Sequence, residues 1–180
     1  MTQTELLVDG TNIAWAWARS RPHLLRGDHA GAQHLLVAAA IRSPLGGLHD
    51  ELTFVFDGPP PPAGPSSTAQ VRVLYPDLGQ SADDRILELV VQAVHGRLGV
   101  VVATSDRALR DLAREQGAST MGGRELILRL DPRSGSEPAR GDSGEELTPR
   151  EKPSPSHRDT EAWLRRFSSK TRPPRRPGSA

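Results

Sequence analysis

Three short apolar runs in this chain reach an aspartate and stop: ELLVD (5–9), ELTFVFDG (51–58) and VVVATSD (100–106). Runs of this length that end at a turn signal read as strands rather than helices. VVVATSD shows no polar alternation before its threonine, so both of its faces must be buried, as happens inside a parallel sheet. Helical periodicity fills the intervals. IAWAWA follows the first run, AGAQHLLVAAAIRSPL (30–45) carries Leu35, Leu36, Ala39 and Ala40 on one face, and Pro44 with Gly46-Gly47 ends it. Strand–helix alternation with buried strands predicts a three-layer α/β/α fold on a mostly parallel sheet.

The rest of the body fits that pattern. PPPPAGPSST (59–68) is a loop, because proline excludes both helix interior and central strand. QVRVLYP (70–76) alternates as a strand. SADDRILELVVQAVHGRLG opens with a helix cap and spaces Ile86, Leu89, Val90, Ala93 and Val94 along one helical face. RALRDLAREQGA is an amphipathic helix closed by Gly117, and a short strand AST and a helix GRELILRL complete a domain over residues 1–130. Residues 131–180 are rich in Pro, Ser, Gly and Arg, a composition that cannot order itself by burying apolar surface. The exception is a short helical segment within 158–168, where Trp163, Leu164 and Phe167 share a face suited to docking on a protein or ribosomal partner.

Composition removes whole classes of chemistry. There is no cysteine, hence no disulfide framework, thiolate metal site or catalytic thiol. No apolar run approaches a membrane span, and Met1 to Glu5 resembles no signal segment, so the expectation is a soluble, cytoplasmic protein without membrane contact. Residues 1–130 hold 12 Arg against 14 Asp and Glu, whereas residues 131–180 hold 11 Lys and Arg against 8 Asp and Glu. A slightly acidic body therefore precedes a basic tail, whose KTRPPRR segment suits salt-dependent contact with RNA.

Open parallel sheets bind ligands beyond the carboxyl ends of their strands. Asp9, Asp57 and Asp106 sit at such ends, and Asp83 and Asp84 open the helix after the QVRVLYP strand. Carboxylates gathered at one edge repel unless a cation or a shared proton offsets them, and hard oxygen donors suit Mg²⁺ or Mn²⁺. The chemistry indicated is metal-assisted hydrolysis of a phosphoester. Local structure is the competing explanation for each acid. Asp9-Gly10 and Asp57-Gly58 could be turns, Ser81 and Asp84 a capping box, and Asp106 a helix cap.

Rival chemistries fail on particular atoms. A haloacid-dehalogenase-type phosphatase needs an acid two residues before Asp9, where Leu7 stands, and a lysine that the body lacks. A response-regulator receiver fails for the same want of lysine and of a second acid beside Asp9. Phosphate-cradling glycine motifs do not occur. His23, His29, His34, His49 and His95 fall on helices and loops that do not converge with the acids.

LLVDGTNI, FVFDG, SADDRI and VVATSD, in this order and spacing over about residues 4–130, resemble the NYN group of PIN-like nucleases, in particular its YacP-type branch. The resemblance implies a five-stranded sheet in the order 3-2-1-4-5, a metal-binding acidic pocket, and endonucleolytic cleavage of RNA, including mRNA on the ribosome. Carried over residue by residue, it implies Asp9, Asp83 and Asp106 on one Mg²⁺ or Mn²⁺, with Asn12 as the supporting amide. Asp57 and Asp84 would assist with a second ion or with water. Ser105, Arg85, Arg107 and Arg124 are the candidates for contact with substrate. The polyproline loop has no basic residue, a departure from the charge sought there in relatives. The alternative function is a non-catalytic RNA- or ribosome-binding adaptor on the same fold.

Overall fold

A computed structural model describes residues 3–135, which lie in the first of two units into which the chain divides at Pro138. At its centre is β1 (Thr4–Asp9), flanked by β2 (Glu51–Val55) and β4 (Gly99–Thr104). The edges are β3 (Val71–Leu74) and β5 (Ser119–Gly122). All pairings are parallel, and the order is β3-β2-β1-β4-β5, as the resemblance implied.

Among the described residues seven helices surround the sheet: α1 (Gly10–Ala16), α2 (Arg21–Leu25), α3 (His29–Arg42), α4 (Leu45–Leu48), α5 (Ala82–His95), α6 (Arg107–Glu115) and α7 (Gly123–Leu130). Of these, α2 packs on α1 and α3. Alternation along the strands divides the core between two faces. Leu6, Val8, Phe54 and Phe56 cluster with Ile13 of α1, Leu36 of α3 and Leu126 of α7. On the other face α5 touches β1, β2 and β4, while α6 touches β4 and β5, and the two helices bury Ile86, Val90, Leu109 and Ala113.

Local departures from the sequence reading have simple causes. The helix predicted over 30–45 stops at Arg42, where Ser43 is extended ahead of Pro44, and Leu45–Leu48 forms a separate turn. A short helix at Arg21–Leu25, not anticipated, starts beside Pro22, whose fixed φ suits the first turn. The polyproline loop is pinned rather than loose: His34 Nε2 donates to the Ala63 carbonyl at 2.8 Å. Tyr75, just after β3, donates its hydroxyl to Gln33 Oε1 at 2.8 Å.

No helix among the described residues is long and apolar enough to cross a membrane. The segment around Trp163, Leu164 and Phe167 and the basic KTRPPRR stretch lie outside the described residues.

Candidate active site at the carboxyl edge of the sheet

The chain runs β1, β2, β3 to one side, then returns to place β4 on the other side of β1. The crevice where the direction reverses, beyond the ends of β1 and β4, is where open α/β sheets bind ligands. Asp9 ends β1 at this point and is only 4% exposed. Its Oδ1 accepts from the Asn12 N–H at 3.1 Å, capping α1, and its Oδ2 accepts from the Thr104 hydroxyl at 3.0 Å. Burial, with repulsion from Asp83 and Asp57, pushes its carboxyl up to about 7 against those two hydrogen bonds. Asp9, Asp57 and Asp83 are thus one electrostatic neighbourhood.

Gly10 makes this placement possible, though not by bending the chain as a turn. It is already helical, the first residue of α1, and a Cβ there would lie 2.5 Å from Cε1 of Phe56. Glycine is needed for close approach of backbone and ring, so that α1 can start directly beneath Asp9.

Thr104, fully buried at the end of β4, went unrecognised as a site residue in the sequence. Its hydroxyl donates to Asp9 and accepts the Asp106 N–H at 3.0 Å, so one group orients both acids' surroundings. A threonine closing an otherwise apolar strand is the signal by which the sequence could have shown it. Asn12 spans the same two turns from the other side: its Oδ1 accepts the Ser105 N–H at 3.1 Å.

The other acids have local tasks as well. Asp57 receives the Ala82 N–H on Oδ1 at 3.2 Å and gives its own N–H to Thr11 Oγ1 at 2.8 Å, joining the end of β2 to the starts of α5 and α1. Asp106 caps α6, its Oδ1 accepting from Ala108 and Leu109 at 2.7 and 3.2 Å. Asp84 completes a capping box with Ser81, whose N–H and hydroxyl both donate to its Oδ2, at 3.2 and 2.8 Å. Asp84→Ala should therefore cost about 1 kcal/mol in chemical denaturation. It should leave any response to divalent ions unchanged.

Among the described residues no three acidic or histidine side chains stand together as a ready ligand set. The arrangement expected of Asp9, Asp83 and Asp106 around one ion is therefore not preformed. Asp9 has Asp83 and Asp57 as its charged neighbours, and Asp106 is committed to the start of α6.

The candidate substrate residues separate. Arg85 forms an ion pair with Glu88 at 3.0 Å on its own helix. Arg107 is exposed at the first position of α6. Ser105 and Arg124 do come together, lining one cleft beside the acidic edge.

The family model for the YacP-like NYN domain matches residues 6–164. A crystal structure of a mutant of Rae1 (YacP) from Bacillus subtilis is similar at a TM-score of 0.60 and 21% identity, over 94% of this chain and 86% of that one. A second crystal structure of Rae1 (YacP) from Bacillus subtilis gives 0.57 and 21%, over 91% and 81%. At such identity these likenesses establish the fold alone. No curated protein matches the sequence significantly. With a PIN-like parallel sheet in the order 3-2-1-4-5 and a family match over most of its length, the chain belongs to the YacP-like NYN family.

Proposed function

We propose that the protein is an endoribonuclease dependent on a divalent metal, acting at the carboxyl edge of β1 and β4. The observation that carries this reading is Asp9: an enclosed carboxylate at the switch point of the sheet, with two further carboxylates as its charged neighbours. A pure RNA binder would gain by losing negative charge at such an edge. The donor set suits a hard ion, since Mg²⁺ takes one or two carboxylates and keeps water for its remaining positions. Asp9 and Asp83 supply that number, and a cation would offset the burial, and the smaller repulsion from Asp83 and Asp57, that push Asp9 up to about 7.

The residues divide the work accordingly. Asp9 and Asp83 would hold Mg²⁺ or Mn²⁺, which when bound supplies positive charge against a scissile phosphate and a more acidic water. Thr104 and the Asn12 N–H fix the Asp9 carboxylate in one orientation. Asp57 sets the start of α5, and with it Asp83. Asn12 locks the two turns that form the floor of the crevice. Membership of the family supports RNA as the substrate, and the proposal extends this to mRNA on the ribosome, in the cytoplasm.

Cleavage of single-stranded RNA with Mg²⁺ or Mn²⁺ should fall by about 10²-fold or more in Asp9→Asn and Asp83→Asn. Undiminished cleavage in both would sink the assigned site. Asp106→Asn keeps a good cap, so its activity reports on ligation alone. A loss matching that of Asp9→Asn would add Asp106 to the ligands. RNA binding without cleavage by the wild type would favour the adaptor reading.

A further inference from the structure

Beside the acidic edge lies a feature of opposite charge. A cleft of about 630 Å³ opens where the end of α1, the β4–α6 turn, α7 and the 3-10 turn Pro132–Gly135 meet. Arg19, Arg124 and Arg133 line it, together with Ser105, Ser134 and Asp131. Among the described residues that line it, three guanidinium groups stand beside one carboxylate, on a body whose arginines are outnumbered by acids.

The wall of this cleft is built rather than incidental. Arg19 pairs with Asp131 at 3.0 Å and lies over the Trp17 ring, 5.5 Å from its centroid. Ser134 donates its hydroxyl to the same Asp131 oxygen at 3.0 Å and receives the Trp17 indole N–H at 3.3 Å. One side chain also joins the cleft to the acidic edge. Ser105 lines the cleft, and its backbone N–H is held by Asn12, the residue whose own N–H donates to the Asp9 carboxylate that caps α1. The β5–α7 turn is pressed against Ser105 as well, because Gly123 leaves no room for a Cβ beside its hydroxyl.

We infer that this cleft seats the sugar–phosphate backbone of single-stranded RNA next to the scissile bond, with Arg124 and Arg133 contacting phosphate and Arg19 fixed as a wall. Its volume is that of a small-ligand site, and arginine forks match phosphate oxygens in geometry as well as charge. A recess admits a phosphate together with its flanking nucleotides only from a strand that is free to bend into it. A duplex presents its phosphates on a stiff outer surface. The inference rests on RNA being the substrate proposed above, but not on turnover.

Binding without cleavage separates the two. Full-length protein in EDTA is titrated with a fluorescent ten-nucleotide oligouridine at several salt concentrations. Arg124→Gln and Arg133→Gln should each weaken binding about fivefold to tenfold, and lower the salt slope by about 0.7 for each phosphate no longer neutralised. Arg114→Gln, on the exposed face of α6 and paired with Asp111, serves as the control and should bind as the wild type does. Thermal melts check that each variant is folded. Binding by both cleft variants equal to that of the Arg114 control overturns the proposal, even if the wild type cleaves RNA. Equal competition by a ten-base-pair RNA duplex overturns the single-strand assignment. A wild type that binds through the cleft yet cuts nothing would defeat the nuclease reading and leave the cleft standing.

Discussion

Replacing Asp9 with asparagine should lower RNA cleavage by about 10²-fold or more and, at pH 8, raise the melting temperature. Burial first, then the charges of Asp83 and Asp57, move this carboxyl from its ordinary 3.8 to about 7 in the folded protein. The sign follows from linkage. As pH rises past 3.8 the unfolded chain releases this proton readily and the folded chain does not, so stability is lost progressively until about pH 7. Above that the penalty is fully present. A shift of this size corresponds to at most about 4 kcal/mol, and relaxation of the site reduces it. Asparagine still caps α1 but carries no charge, so a gain on the order of 5 °C at pH 8 in EDTA is expected, with none at pH 4. Mg²⁺ should raise the melting temperature of the wild type at pH 8 and leave Asp9→Asn unmoved, because only the folded wild type has the ligand. A variant that melts below the wild type at pH 8 would remove the idea of a repelled, buried carboxylate. A wild type indifferent to both Mg²⁺ and Mn²⁺ would remove the ion.

Gly10→Ala should be the most damaging single-methyl change in the body. Helix propensity alone would favour alanine by about 1 kcal/mol at this helical position. The added Cβ, however, would meet Phe56 Cε1 at 2.5 Å and Cδ1 at 2.6 Å. Phe56 is buried, stacked on Phe54 with centroids 6.1 Å apart, and in contact with Tyr75, so the ring has nowhere to go. A net loss of about 3 kcal/mol is expected in urea denaturation, the upper range for overpacking a core. Displacing the start of α1 should also disturb the Asp9 cap and lower activity. Gly46→Ala is the matched control, since a Cβ there meets nothing within 4 Å and should be neutral or mildly stabilising. Wild-type stability in Gly10→Ala would show that the aromatic stack can yield.

Much of the fold was legible because its signals are local. VVVATSD could only be a strand buried on both sides, and it became β4, paired with β1 and β5. Ser81 and Asp84 read as a capping box, and the box is present. Pro44 marked the end of the third helix, which stops at Arg42 because the residue before a proline is held extended, whereas the short helix at Arg21–Leu25 left no signal because a single helical turn has weak periodicity.

The site was legible in part, for a different reason. That acids end the strands follows from the pattern of apolar runs, and the parallel sheet brings those ends to one edge. Which acids then feel one another depends on strand order and helix starts, and these are tertiary. Asp83 and Asp57 bear on Asp9, whereas Asp106 turns to its own helix. Thr104 gained its place only when β4 came to lie beside β1. The cleft of Arg19, Arg124 and Arg133 joins residues more than a hundred positions apart, and no spacing rule links them. Sequence by itself determined the alternation of strand and helix, the absence of cysteine and of body lysine, and the acids at strand ends, because each is a property of neighbours along the chain. Only the tertiary structure decided which carboxylates share a field and which arginines share a cleft, because charge acts through space and folding alone sets those distances.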